Sequence, residues 1–303
     1  MSEKINEQKA LLAVQRRIRN VRIAVLSVLL IWAAFGCSLL YFYEIGYGSY
    51  PLGAFLLVAG VMLLVRLGQH KPKSVLCIPD SAIDNALKAK ERGVLGLWRS
   101  LEGLSKKAGV RERIALQVLS AQSKYLCMLS DASRQVGMVV VTGKLMKETG
   151  EAEMESLVSH EIGHFAFNES RWLEVIEDVA YFFRFIFFIT MACVSLSITG
   201  MVWFVPSFGV GEMLLLLATE AISLALAFIV LPRIKAAAHR QVEHMADAYG
   251  CYLVGTDILI DALQNLESGN VRTGIAEYLS GKIGTRSHPL TADRAKAIRA
   301  LRE

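Results

Sequence analysis

His160-Glu161-Ile162-Gly163-His164 is where the residue types and spacing of this 303-residue chain do chemistry most directly. In a helix, side chains four residues apart project from one face, so the two imidazoles can share a single ion. Glu161 stands beside them as a carboxylate able to take a proton from water. A catalytic zinc takes three protein ligands and keeps one position open, so a third ligand must exist. The extended spacing that ends in a third histidine fails here, because Phe167 and Ser170 stand where its glycine and histidine belong. The candidates downstream are Glu243, His239, His244 and His288. Positions 239, 243 and 247 share one helical face, whereas His244 is turned about 100° from Glu243. Glu243 therefore stands first and His239 second. Asp247, one turn beyond Glu243, suits a carboxylate that accepts the free N–H of a ligating histidine.

Those residues need elements to hold them. Glu151, Glu153 and Glu155 crowd the start of a helix after Thr149-Gly150, where carboxylates favour the positive end of the helix dipole. Met154, Leu157, Val158, Ile162 and Phe165 give that helix an apolar stripe. Upstream, three short runs rich in Val, Leu and Ile (Ile114 to Leu119, Lys124 to Leu129, Gly137 to Thr142) are separated by polar turns and predict a small sheet. Residues 81 to 109 place Ile83, Leu87, Val94, Leu97, Trp98, Leu101 and Leu104 near helical spacing and end at Gly109, as a helix pair or one helix broken at Gly93.

Long apolar runs interrupt this pattern. Between Arg22 and Glu44 lie 21 uncharged residues, and between Glu44 and Arg66 another 21. Each is long enough to cross about 30 Å of hydrocarbon as a helix. The break between them, Gly46-Tyr47-Gly48-Ser49-Tyr50-Pro51, is turn chemistry with interfacial tyrosines. Residues 185 to 211 are uncharged and broken by Pro206 and Gly209, and 213 to 232 continue apolar except for Glu220. The expectation is a mainly α membrane protein with four transmembrane helices in two hairpins. Its segments are a basic arm over 1–22, a first hairpin over 23–65, a first part of a soluble domain over 66–179 with the pentapeptide helix, a second hairpin over 180–232, and the rest of the domain over 233–303 with the third ligand. Arg184 and Glu220 are the polar intruders, read as lining a cavity or as interfacial residues that snorkel or pair.

The net charge of +5 is concentrated beside these runs, which removes the nucleic-acid reading that a basic chain invites. Lys4, Lys9, Arg16, Arg17, Arg19 and Arg22 precede the first run, Arg66, Lys71 and Lys73 follow the second, and Arg233, Lys235 and Arg240 follow the fourth. Neither hairpin turn carries a Lys or Arg, so the positive-inside rule puts every basic flank and both parts of the domain on the cytoplasmic side. With 53% hydrophobic residues and mean hydropathy +0.40, the chain is too apolar for two ordinary soluble domains. Five cysteines without any C-x-x-C spacing argue against a disulfide scaffold or a four-cysteine zinc site.

On these residues the chain resembles the HtpX-like integral-membrane zinc metallopeptidases, relatives of the CAAX prenyl proteases and of mitochondrial inner-membrane quality-control peptidases. The resemblance rests on the pentapeptide at 160 to 164, on Arg240-x-x-Glu243-x-x-Ala246-Asp247, on His288-Pro289 followed by Arg294, and on two membrane hairpins before and within the domain. It implies a zincin-type (gluzincin) α+β protease domain with one zinc per chain on His160, His164 and Glu243, catalysis by Glu161, and support from Asp247, His288 and Arg294. It further implies an integral protein of the bacterial inner (cytoplasmic) membrane with its active site facing the cytoplasm. The partners are the lipid bilayer and protein substrates, membrane-associated or misfolded, with no nucleic acid. The chain departs from the family where Asp131-Ala132-Ser133-Arg134 replaces Asn-Ala-Phe-Ala beside the substrate cleft, and where His239 replaces a small hydroxyl residue.

The chemistry expected is zinc-assisted peptide hydrolysis, with Glu161 taking a proton from water and returning it to the leaving amine. His288 or Arg294 would supply donors to the developing negative charge. His288-Pro289 reads equally as a helix start. The competing function is a metal-binding membrane scaffold or holdase with a latent site, which would lack the Glu of the pentapeptide or close the metal with a fourth ligand.

Overall fold

The run Met138-Val139-Val140-Val141 has no polar residue to turn toward water, and it lies in a strand whose two faces are both buried. In the computed structural model, residues 3–42, 92–110, 113–119, 126–131, 136–167, 170–198, 210–268 and 289–302 are described. The second expected span with Arg66, Lys71 and Lys73, both hairpin turns, residues 132–135 and His288 lie outside them. The chain divides into two compact units, one of Met1–Val21, Lys71–Ser170 and His239–Glu303, the other of Arg22–His70 and Arg171–Ala238.

The first unit holds the sheet. Strands β1 (Arg113–Leu119), β2 (Leu126–Asp131) and β3 (Val136–Thr142) are ordered β1-β3-β2. β3 is central, parallel to β1 with Ile114 opposite Gly137 and antiparallel to β2 with Leu126 opposite Val141. Helix α1 (Glu7–Phe42) begins in this unit. Helix α2 (Arg92–Lys107) precedes the sheet, and α3 (Gly143–Glu148) and α4 (Glu151–Phe167) follow it directly. Helix α4 starts after Gly150 with Glu151 and Glu153 in its first turn, as the macrodipole favours. α2 and β2 pack against α4. The core gathers Leu97 and Leu101 of α2, Val139 and Val141 of β3, and Leu157 and Ile162 of α4. Residues expected as a basic arm contribute to it too: Ile5, Ala10 and Val14 are buried.

Helices α5 (Ser170–Ile198) and α6 (Val210–Ala225) belong to the second unit, apart from Ser170. A π-helical segment, Leu226–Val230, joins α6 to α7 (Leu231–Val254). Pro232 cannot donate a backbone hydrogen bond, and the helix widens just ahead of it, with Leu231 N–H reaching back to Leu226 O. Val25, Val28, Ile176, Phe183, Ala227 and Leu231 form this unit's core, and Trp32 meets Phe182 edge to face at 6.2 Å. Its outer surface is apolar as well, with Leu26, Leu30, Phe188, Leu214 and Phe228 exposed. Among the described residues, one helix is long and apolar enough to cross a membrane, Ala221–Val254. Its apolar stretch ends at Arg233, where charged side chains begin. The remaining helices, α8 (Leu259–Ser268) and α9 (Thr291–Arg299), lie in the first unit and pack on each other.

Candidate metal centre

Two helices must approach closely before Glu243 can join the histidines, and small residues let them. Gly163 of α4 faces Ala246 of α7, where an added Cβ would lie 3.0 Å from the Ala246 Cα. A Cβ on Gly250 of α7 would lie 3.0 Å from both His160 N and Ser159 Oγ. Ser159 Oγ also donates to Gly250 O at 3.2 Å, so a buried hydroxyl is satisfied across the crossing. The sheet fixes the helix in a second way, because the Phe165 ring lies over Gly137 of β3, 2.9 Å from where a Cβ would sit. Glycine inside a helix is unfavourable by itself, so Gly163 and Gly250 were signals of close packing that the sequence reading did not use.

The crossing brings His160, His164 and Glu243 together, with one donor atom from each within 4.8 Å of the others. His160 Nε2 stands 3.1 Å from His164 Nε2 and 3.7 Å from Glu243 Oε2, and His164 Nε2 stands 4.0 Å from Glu243 Oε1. Donors bound tetrahedrally to zinc at about 2.0–2.1 Å would lie about 3.3 Å apart, so this set has the right size for the ion. Its chemistry fits too. His160 Nδ1 is 3.0 Å from Asp247 Oδ1, a hydrogen bond that puts the proton on Nδ1 and leaves the Nε2 lone pair facing the other donors. Converging lone pairs and a buried carboxylate call for a shared cation.

Asp247 is 1% exposed and is held from the other side by Arg294 of α9, whose Nε and Nη2 donate to its two oxygens at 2.9 and 2.5 Å. Burial alone would raise the Asp247 carboxyl, but the Arg294 charge and the hydrogen bonds from His160 and Arg294 outweigh it and hold the group at about 2. Burial alone would lower Arg294, and Asp247 reverses this and holds it above the ordinary arginine range. Arg294 Nη1 is also 3.6 Å from Glu243 Oε2. Glu161 is half-buried and lies within range of the Arg294 charge.

The other candidates fall outside the three-donor group. His239 Nδ1 is 3.9 Å from Glu243 Oε1, one turn earlier on the same helix. His244 is half-buried with its Nδ1 lacking a hydrogen-bond partner, and burial lowers its pKa. The sequence reading missed the interhelical spacing and the contribution of residues 3–21 to the unit that holds the site.

Residues 129–302, which contain all of these site residues, match Peptidase family M48. Over 220 residues the chain is 25% identical to Protease HtpX of Pseudomonas aeruginosa and to that of Pseudomonas paraeruginosa, covering 67% of this chain and 72% of each relative. Among solved structures it is similar to S. mikatae Ste24p at 16% identity and a TM-score of 0.47, over 98% of this chain and 67% of that one.

Proposed function

The chain belongs to peptidase family M48, and on that premise we propose that it is a membrane-embedded zinc metalloendopeptidase with His160, His164 and Glu243 as the metal ligands. The observation that carries this reading is the convergence of two imidazoles and a buried carboxylate at zinc-sized spacing beside Glu161. Bound there, zinc supplies Lewis-acid polarisation of the scissile carbonyl and a lowered pKa for water. Glu161 takes the proton from the attacking water and returns it to the leaving amine. Asp247 holds the His160 ring in the tautomer that presents Nε2, and Arg294 holds Asp247. With its Nε and Nη2 engaged by Asp247, Arg294 acts as a positioning residue in this reading.

The exposed apolar side chains of the second unit, Leu26, Leu30, Phe188, Leu214 and Phe228 among them, suit hydrocarbon. With the one-sided basic flanks, they support an N-in, C-in arrangement in which 66–179 and 233–303 face the cytoplasm. Membrane-associated or misfolded proteins are the substrates proposed, as in quality control. Metal analysis and proteolysis of an unfolded test protein by wild type and Glu161→Gln test the chemistry. We expect about one zinc per chain in both and hydrolysis in wild type alone, since glutamine cannot accept the proton. Comparable hydrolysis by Glu161→Gln would remove the general-base role. Labelling of a cysteine introduced near Gly150 from outside intact cells would overturn the orientation.

A further inference from the structure

The segment Glu3–Lys9 is bonded along both edges. Lys4 pairs with Thr256 and Ile5 with Arg302 in antiparallel bridges, and Ile5 is fully buried. Ile5 N donates to Gly255 O at 3.1 Å, Asn6 N to Leu301 O at 2.9 Å, and Asp257 N to Glu3 O at 3.2 Å. Glu3 N donates to Asp257 Oδ1 at 2.7 Å, and Lys9 Nζ to Arg302 O at 2.8 Å. Arg302 closes the set, with Nε and Nη2 donating to Asp257 Oδ2 at 2.9 and 2.5 Å and Nη1 lying 3.0 Å from Glu3 Oε1.

The two edges belong to the two helices that meet at Asp247. Gly255 to Asp257 is the loop directly after α7, which carries Glu243 and Asp247, and Leu301-Arg302 follows α9, which carries Arg294, after the single residue Ala300. We infer that this segment is a strap that pins the end of α9 to the end of α7 and so keeps Arg294 in register with Asp247. Asp257 and Arg302 are thus positioning residues for the metal centre, acting through Arg294. The inference rests on the reading that Asp247 orients a zinc-binding His160.

Physical reasons favour a strap over a passive contact. α9 has nine residues, too few to be stable as an isolated helix, so its placement depends on its packing and its ends. Arg302 follows Arg294 by eight residues, of which the helix covers Arg294 to Arg299 with a rise of about 7.5 Å, so a fixed end transmits little slack to the guanidinium. The Asp257 carboxylate is buried and receives three charge-assisted or backbone donors, which leaves the loop after α7 one well-satisfied arrangement.

The test uses the full-length protein with Asp257→Asn, Arg302→Gln and Arg302→Lys, each also combined with Arg294→Gln. Zinc affinity is read by chelator competition, the ligand field by the visible spectrum of the cobalt-substituted protein, and the mobility of α9 by amide hydrogen exchange over Thr291–Arg299. We expect Asp257→Asn and Arg302→Gln to weaken zinc on the order of threefold to tenfold, less than the roughly 10–100-fold typical of losing a carboxylate that orients a ligand. They should shift the cobalt spectrum and speed exchange in α9, and Arg302→Lys should restore part of each. In the Arg294→Gln background the further loss of affinity should vanish, because the coupling runs through that side chain. An equal loss in both backgrounds would mark the strap as general scaffolding and overturn the inference, as would unchanged affinity in the wild-type background. Should wild type bind no zinc, the proposed function fails; exchange in α9 then still judges the strap, supporting it if faster in the variants and overturning it if unchanged. If the stronger substitutions prevent folding, Arg302→Lys alone in the two backgrounds gives the same comparison.

Discussion

Asp247 with Arg294 and Asp257 with Arg302 are alike in parts and unlike in company. Each aspartate is buried, and each receives Nε and Nη2 of an arginine from the last 14 residues described. The third partner differs: Asp247 bonds His160 Nδ1, whereas Asp257 bonds the backbone N–H of Glu3. Solvent differs too, since the Arg294 side chain is 12% exposed and that of Arg302 29%. The same pair therefore does two jobs. With an imidazole as third partner it sets a tautomer; with a backbone amide it fastens one segment to another.

Substitutions can separate these jobs. The largest effect is expected from Asp247→Ala, which removes both hydrogen-bonded oxygens from a buried guanidinium and leaves it Glu243 at 3.6 Å, and should cost about 3–5 kcal/mol of stability. Asp257→Ala leaves Arg302 with access to water and should cost about 1–3 kcal/mol. Thermal or denaturant unfolding of the two variants side by side checks the order, and equal losses would erase the distinction drawn from burial. Next, Asp247→Asn should weaken zinc roughly 10–100-fold, while Asp293→Asn, an exposed neighbour of Arg294, should leave affinity as in wild type. A graded chelator series places both on one scale. Gly250→Ala should then disturb one pair and spare the other. A methyl group 3.0 Å from His160 N must push α4 from α7, at a cost of at least about 1 kcal/mol, with weaker zinc binding. Hydrogen exchange in residues 3–9 should stay unchanged, because the Asp257 pair does not depend on that spacing. The smallest effect belongs to Arg302→Lys, which keeps the charge on a part-exposed partner and should lower stability by less than about 1 kcal/mol.

What could be read from the sequence depended on how many elements each feature needs. The two imidazoles were legible because one helix suffices to align positions 160 and 164. Asp247 could be picked out beside Glu243 for the same reason. The strand over Val136–Thr142 could be read as one of three β-like runs separated by polar turns, but its central place could not, because strand order leaves no local pattern. The strap was hidden, because Ile5, Ala10 and Val14 stand among Lys4, Glu7, Lys9, Arg16 and Arg17, and the charges suggested only an orienting arm. Its partners lie some 250 to 300 positions away in the chain, so no local periodicity announces them. The short distance between α4 and α7 escaped for a related reason. A missing side chain, at Gly163 or Gly250, shows its purpose only when the backbone opposite is known.

The aromatic ring resting on Gly137 has a consequence for motion along the α4 axis. Glycines at a crossing limit how near two helices come, but they do not stop one from sliding past the other by a turn. Phe165 follows His164 immediately, and its ring occupies a notch in the central strand that only a residue without a Cβ can provide. Sliding α4 would require the ring to climb out of that notch against side chains on the same face of the strand, such as Val139 two residues on, so the contact behaves as a mechanical detent, holding the height of the two imidazoles independently of their distance from Glu243.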